Sequence, residues 1–153
     1  MTSREKITSA QTSTNLGEKP ADELADVDII RACGMAGQRN PLGLSIWRWR
    51  YAGDHGSMFK VAEGLVEMGY PVVVVYRVLS HLASDVCKTC FGRGFELIKG
   101  APVLSDQLCV DCRGTGRREI LGVAENQLVD TIKRMEQEIA SAIMHKLSRR
   151  LDF

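Results

Sequence analysis

The sequence predicts a mainly α-helical protein with a cysteine-bearing hairpin set between its helices. Three observations carry that prediction. Apolar residues recur at three- and four-residue spacing through most of the chain. Two C-x-x-C-x-G-x-G motifs answer each other across a short segment, and a turn glycine followed by helical sequence with a polar face succeeds the second motif. The 153 residues, 44% apolar, 25% charged and 6% aromatic, suit one domain with a tail. That balance is too apolar for wholesale disorder and too poor in aromatics for a large base- or sugar-stacking surface. Lys and Arg number 20 against 19 Asp and Glu, so any basic face must be local.

Residues 1–20 are Ser, Thr, Gln, Glu and Lys with little between them to bury, and are expected to form a disordered N-terminal tail. Residues 21–153 are expected to form the helical domain, with the hairpin at 86–117. From Ala21 to about Gln38, Leu24, Val27, Ile30 and Cys33 keep helical spacing, and Asp22 and Glu23 suit a first turn. Asn40-Pro41 breaks the chain before a second helix, Leu42–Tyr51, in which Trp47 and Trp49 cannot share one face; one should anchor the core and the other lie near the surface. Ser57 can cap a third helix running to Glu67, with Phe59, Val61, Leu65 and Met68 apolar, and Gly69-Tyr70-Pro71 ends it. The valine run at 72–75 favours a strand by composition. Val75, Val78, Leu79 and Leu82 nevertheless continue at helical spacing behind Pro71, which predicts a helix over 72–85. A long stripe of Leu128, Ile132, Met135, Ile139, Ile143 and Leu147 marks the last helix, which could pack across the domain or self-associate with a copy of itself.

The chemistry is concentrated in the cysteines. Cys87-Lys88-Thr89-Cys90-Phe91-Gly92-Arg93-Gly94 is matched by Cys109-Val110-Asp111-Cys112-Arg113-Gly114-Thr115-Gly116. Two residues between cysteines let a tight turn aim both sulfurs at one ion. The glycines permit backbone torsions that bring amides onto the thiolates. Cys87, Cys90, Cys109 and Cys112 are therefore predicted ligands of one structural Zn²⁺, the metal that four thiolates select over hard ions. A redox C-x-x-C normally occurs once, on a thioredoxin-like unit absent from this sequence, and a [2Fe–2S] centre takes four cysteines at other spacings. Four thiolates leave no open position for a reacting water. No nucleophile elbow, paired-carboxylate motif or phosphate-cradling loop accompanies them, so the expectation is a non-enzyme. Cys33 reads as a small core residue, and His55, His81 and His145 have no partners at ligand spacing.

Basic side chains gather just outside the cysteine motifs, at Arg93, Arg113, Arg117 and Arg118, and suit either phosphate contacts or a solvated edge. Behind them, Ile120-Leu121-Gly122-Val123 reads as the second half of a helix-turn-helix. The helix it opens would present Asn126, Gln127, Thr131, Lys133 and Arg134, types able to read adenine edges or hold phosphate and guanine. No stretch approaches the roughly 20 apolar residues of a membrane span. Met1-Thr2-Ser3-Arg4 leads into no apolar signal segment, so the expected location is cytoplasmic, without membrane contact.

Two such motifs on a hairpin, with an apolar helix before and helical sequence after, together with Cys33-Gly34-Met35-Ala36 and Pro41-Leu42-Gly43 upstream, resemble the late-gene antitermination protein Q family of lambdoid phages. The resemblance implies a mainly helical DNA-binding protein of the host bacterial cytoplasm, with a helix-turn-helix-like unit interrupted by the zinc-binding hairpin. Such a protein would bind double-stranded DNA near a late promoter, engage paused bacterial RNA polymerase holoenzyme and carry it past terminators. It further implies that 72–85 is the supporting helix and that the helix beginning near Ala124 enters the major groove. The alternative is a zinc module like that of DnaJ-type chaperones or of a protein-protein interaction domain. DnaJ-type proteins carry four such motifs and a His-Pro-Asp tripeptide, whereas this sequence has two motifs and no His-Pro.

Overall fold

The computed structural model describes residues 3–14, 16–17 and 25–151. Among them are six helices, α1 Ser3–Gln11, α2 Asp26–Arg39, α3 Pro41–Tyr51, α4 Ser57–Glu67, α5 Val72–Ala83 and α6 Val123–Leu151, and two strands, β1 Phe95–Leu97 and β2 Leu104–Leu108. None of these helices is long and apolar enough to cross a membrane. The chain divides into two units: the described residues up to Tyr70 together with those from Val129 onwards, and Pro71–Leu128.

The first unit is a helical core. Ile29, Cys33 and Ala36 of α2, Leu44 and Trp47 of α3, and Ile139, Ile143 and Leu147 of α6 pack as one buried cluster. Ile7 and Ala10 join it, which corrects the reading of residues 1–20 as a disordered tail: Ser3–Gln11 is a helix whose i, i+3 apolar pair is buried. Two small apolar residues on one face suffice because the surface they meet is already built by other helices; intrinsic composition gives no hint of that. Residues 18–24, including the expected start of the second segment at Ala21, lie outside the described residues.

Helix α2 opens at Ala25, whose N–H donates to Asp28 Oδ2 at 3.2 Å, and its acidic first turn is Asp26 and Asp28. Asn40 then turns the chain within one residue. Its N–H closes α2 on the Ala36 carbonyl and its Oδ1 accepts from the Gly43 N–H at 2.9 Å, with Pro41 at the first position of α3. Both tryptophans of α3 are buried, against the expectation of one at the surface. The physical reason is that α3 is covered on two faces: Leu44 and Trp47 face the core cluster, while Ile46 and Trp49, one turn apart on another face, are buried outside it. Leu42 of α3 packs against Gly64 of α4 so closely that a Cβ there would lie 2.8 Å from its Cδ1. Ser57 is the first residue of α4 rather than its cap, which is Gly56; Asp54 accepts from the Ser57 N–H at 3.3 Å and from its hydroxyl at 2.7 Å. Val61 and Leu65 are buried, whereas Phe59 and Met68 are exposed.

The apolar stripe of α6 holds as predicted, with Met135 half-buried and the other five members buried. One carboxylate interrupts it. Glu136 is buried and accepts from Arg50 at 2.6 Å and from the Tyr51 hydroxyl at 3.1 Å, so its charge is both paired and hydrogen-bonded.

In the second unit the valine run is helical, not a strand. Val75, Val78 and Leu79 are buried at helical spacing, and the Pro71 carbonyl accepts from the Val75 N–H at 3.0 Å. Arg77 of α5 pairs with Glu125 in the first turn of α6 at 3.2 Å. Between these helices, β1 and β2 form an antiparallel hairpin with Phe95 opposite Leu108 and Leu97 opposite Leu104, and an irregularity between the two pairs. No residue of either strand is buried.

Candidate metal centre

What the strands do not bury, their bases do. Cys87, Cys90, Cys109 and Cys112 are the buried cluster of the hairpin, and all four are free thiols. Their Sγ atoms lie within 4.8 Å of one another, with Cys87 to Cys109 at 4.0 Å and Cys90 to Cys112 at 3.5 Å. A tetrahedral ion with metal–sulfur bonds of about 2.3 Å needs sulfur–sulfur edges of about 3.8 Å. The observed separations bracket that value. The donor set could therefore hold one metal ion with little movement of the backbone.

The two cysteine turns are copies of one local design, offset by 22 residues. The Cys87 N–H donates to the Gly116 carbonyl and the Cys109 N–H to the Gly94 carbonyl, each at 2.9 Å, so each turn is tied to the end of the other. The Gly94 N–H donates to Cys90 Sγ at 3.2 Å and the Gly116 N–H to Cys112 Sγ at 3.3 Å. These amides reach the sulfurs because the chain curls through positive φ at matched positions: Phe91 (52°) and Arg113 (53°), then Gly94 (80°) and Gly116 (70°). A Cβ on Gly94 would stand 2.5 Å from the Gly114 carbonyl oxygen, and one on Gly116 would collide with the Gly92 carbonyl. Glycine is thus a steric requirement at the last position of each motif. Thr89 and Asp111, the third residues of the two C-x-x-C turns, hydrogen-bond to each other through their side chains.

Charge placement favours thiolate at Cys112 and opposes it at Cys109, whose thiol is raised. Burial raises the Cys112 thiol, but the amide of Gly116, the Cys90 thiol, the amide of Gly114 and the Cys109 thiol more than offset it, leaving it lowered to about 7. Amides aimed at sulfur stabilise the anion and orient the ligand. Cys33 is the opposite case: buried in the helical core, its thiol is pushed up by desolvation. The one group of three or more potential ligands found among the described residues is the cysteine quartet, and it includes none of the three histidines.

The basic residues predicted around the motifs divide by role. Arg117 is exposed yet salt-bridged to Asp85 at 2.8 Å, and the hydrogen bond from Arg117 holds the Asp85 carboxyl below its usual range. Arg118 donates its N–H to the Asp85 carbonyl at 2.6 Å and its guanidinium to the Ser84 carbonyl. With the isolated bridge Val86–Arg117, these contacts clasp the hairpin at its base. Asn126 turns its amide back onto the carbonyls of Ile120 and Gly122, at 3.2 and 2.9 Å. The half-buried Thr131 meets the Tyr70 hydroxyl at 3.3 Å. Arg113, Gln127, Lys133 and Arg134 are exposed, the last three on the outer face of α6. Arg93 reaches back over the Phe91 ring at 5.7 Å and donates to the Cys90 carbonyl. Sequence reading missed Asp85, which anchors the clasp, and the Thr89–Asp111 pair; the matched positions of the latter in the two motifs were the available signal.

No protein-family model matches this chain, and neither a curated protein nor a solved structure matches it.

Proposed function

We propose that the protein is a zinc-stapled, duplex-DNA-binding transcription factor that modifies paused bacterial RNA polymerase so that it reads through terminators. The observation that carries this reading is the convergence of Cys87, Cys90, Cys109 and Cys112 in the segment between α5 and the first turn of α6. When bound, Zn²⁺ supplies folding free energy on the order of 10 kcal/mol in such sites, which is what an otherwise exposed hairpin lacks. Under this reading α5 is the supporting helix, α6 begins the helix that enters the major groove, and the hairpin replaces the turn between them. Two features support it: the direct Arg77–Glu125 pair between those helices, and the exposed Gln127, Lys133 and Arg134 on α6. Arg113 and the side chains near it would add phosphate contacts.

The test is transcription in vitro across a terminator, with zinc-loaded protein and a candidate late promoter, beside a duplex-binding assay over a salt series. Increased read-through with a steep salt dependence of binding is the expected result. Duplex binding without read-through would remove the antitermination role; absence of duplex binding would overturn the whole reading. A DnaJ-like zinc module in chaperone or protein-protein interaction, the second reading, is favoured by the exposed Ile98, Val103, Leu104 and Leu108 along the hairpin. It predicts suppression of client aggregation without DNA affinity.

A further inference from the structure

The second unit contains a cavity of about 420 Å³ bounded by α5, the first cysteine turn and the segment leading into α6. Its chemistry is mixed in a specific way. Tyr76 offers an aromatic face and is 72% exposed. Arg77, Lys88 and Arg118 supply positive charge, and Glu119 and Glu125 supply negative charge. Of the three cations, Arg77 is neutralised by Glu125. Arg118 is bonded only to carbonyl oxygens, and its Nε is buried with no partner. Lys88 stands exposed in the C-x-x-C turn. A ring to stack on, beside two cations that no carboxylate occupies, is the donor set of a nucleotide site.

The charge balance decides which nucleotide. A free nucleoside di- or triphosphate carries several negative charges and calls for a glycine-rich cradle or a dominant excess of cations. Here two carboxylates line the same cavity, so a singly charged phosphodiester is the better match. A base within a duplex is stacked on both faces and cannot offer one to Tyr76; an unpaired base can. We infer that the cavity beside Tyr76 binds one unpaired nucleotide of a single-stranded nucleic acid, its base stacked on Tyr76 and its phosphodiester held by Lys88 and Arg118. The site is distinct from the duplex contacts proposed for the outer face of α6, and its failure would not touch them.

The test uses the full, zinc-loaded chain and measures anisotropy of a short labelled single-stranded oligonucleotide and, separately, of a duplex. Tyr76→Ala should weaken single-strand binding on the order of tenfold, as loss of one stacked base does; Tyr76→Phe should restore it. Lys88→Ala, with zinc content verified, should lower the salt slope of single-strand binding by about one. Duplex affinity should be the same in all three variants. Wild-type protein that fails to bind the single strand, or Tyr76→Ala that binds it unchanged, overturns the inference. A free nucleoside monophosphate or triphosphate that displaces the oligonucleotide at comparable concentration overturns the assignment to a strand. Loss of duplex binding alone would sink the transcription-factor reading and leave this site standing.

Discussion

The helical unit and the hairpin of the second unit bury different things. In the first, Trp47, Ile139 and Ile143 are 2% exposed or less and interlock with residues from α1, α2 and α3. In the hairpin, every apolar side chain of the strands is at least partly in water, and the buried residues are four cysteines with Gly94 and Gly116 beside them. Hydrophobic burial at about 25 cal/mol per Å² can hold the helices together. It cannot hold a two-stranded hairpin, which is marginal in water without a third strand or a packed face. Order in the hairpin rests on the close amide–sulfur contacts, the clasp at Asp85 and the metal ion that the four cysteines could hold. One chain thus contains two solutions to the cost of ordering its backbone.

The largest effect that follows is selective. Cys109→Ser, or chelation of the wild type, should abolish bound metal and cost the hairpin free energy on the order of 10 kcal/mol. Hydrogen exchange should show amides of 87–116 losing protection, while those of α2, α3 and the later turns of α6 keep theirs. The proposed duplex binding should go with it. Retained protection across 87–116 in metal-free protein would erase the contrast between the units. Next in size is the converse experiment. Ile143→Ala removes a fully buried side chain from the helical cluster, and should destabilise that unit by about 2–5 kcal/mol. Native mass spectrometry should find its metal content unchanged.

A single substitution type can then be tried in both regions. Gly94→Ala puts a Cβ against the Gly114 carbonyl at a φ of 80°, and should cost about 1–3 kcal/mol, read as weaker zinc affinity in a competition titration. Gly34 lies exposed within α2 with nothing near its missing Cβ. Gly34→Ala should instead stabilise by about 1 kcal/mol, read as a raised Tm. Equal signs would mean that backbone torsion is not what separates the two regions. Smaller again, Arg134→Ala on the outer face of α6 should lower the proposed duplex affinity a few-fold and the salt slope by about one, with no change in fold.

The same division explains what the sequence discloses. The cysteine quartet is legible because ligation imposes spacing on neighbours: Cys-x-x-Cys and the glycines after it are local requirements, visible without any fold. Helices α4, α5 and the later turns of α6 are legible because one face of each is buried and the apolar period records it. Legibility fails where structure depends on distant partners. Helix α1 shows two apolar residues, and only the surface supplied by α2, α3 and α6 makes them sufficient. Trp49 is misread because periodicity assumes one covered face, and α3 has two. Arg50 and Glu136 are 86 residues apart, so no local pattern announces that a carboxylate in the stripe of α6 has a buried partner. The clasp of Arg117 and Arg118 on Asp85 and Ser84 escapes for the same reason. The positive charge of Arg117 suggests a ligand until the fold supplies the Asp85 carboxylate.

Acid should erode both units, through carboxylates of the same kind in different roles. Asp54 is held below its usual range first by the Ser57 hydroxyl, with the Ser57 amide also lowering it, and so binds the first residue of α4. Asp85 is held down first by its hydrogen bond from Arg117, and closes the hairpin. A carboxyl whose pKa is lower folded than unfolded binds fewer protons in the native state. Its contribution is therefore complete above the unfolded value, about 3.9, and is lost as pH falls through the depressed folded value. Asp54→Asn removes that titration and keeps an acceptor for Ser57. Thermal melts of zinc-loaded protein should show Asp54→Asn slightly less stable than wild type at neutral pH. The gap should close as pH falls below about 4. Asp85→Asn removes the charge facing Arg117, so exchange in the hairpin should quicken near neutrality and lose part of its acid dependence, while the amides of α4 do not respond. If Asp85→Asn loosens α4, or Asp54→Asn loosens the hairpin, the two units share one cooperative transition and their different means of stabilisation do not make them independent.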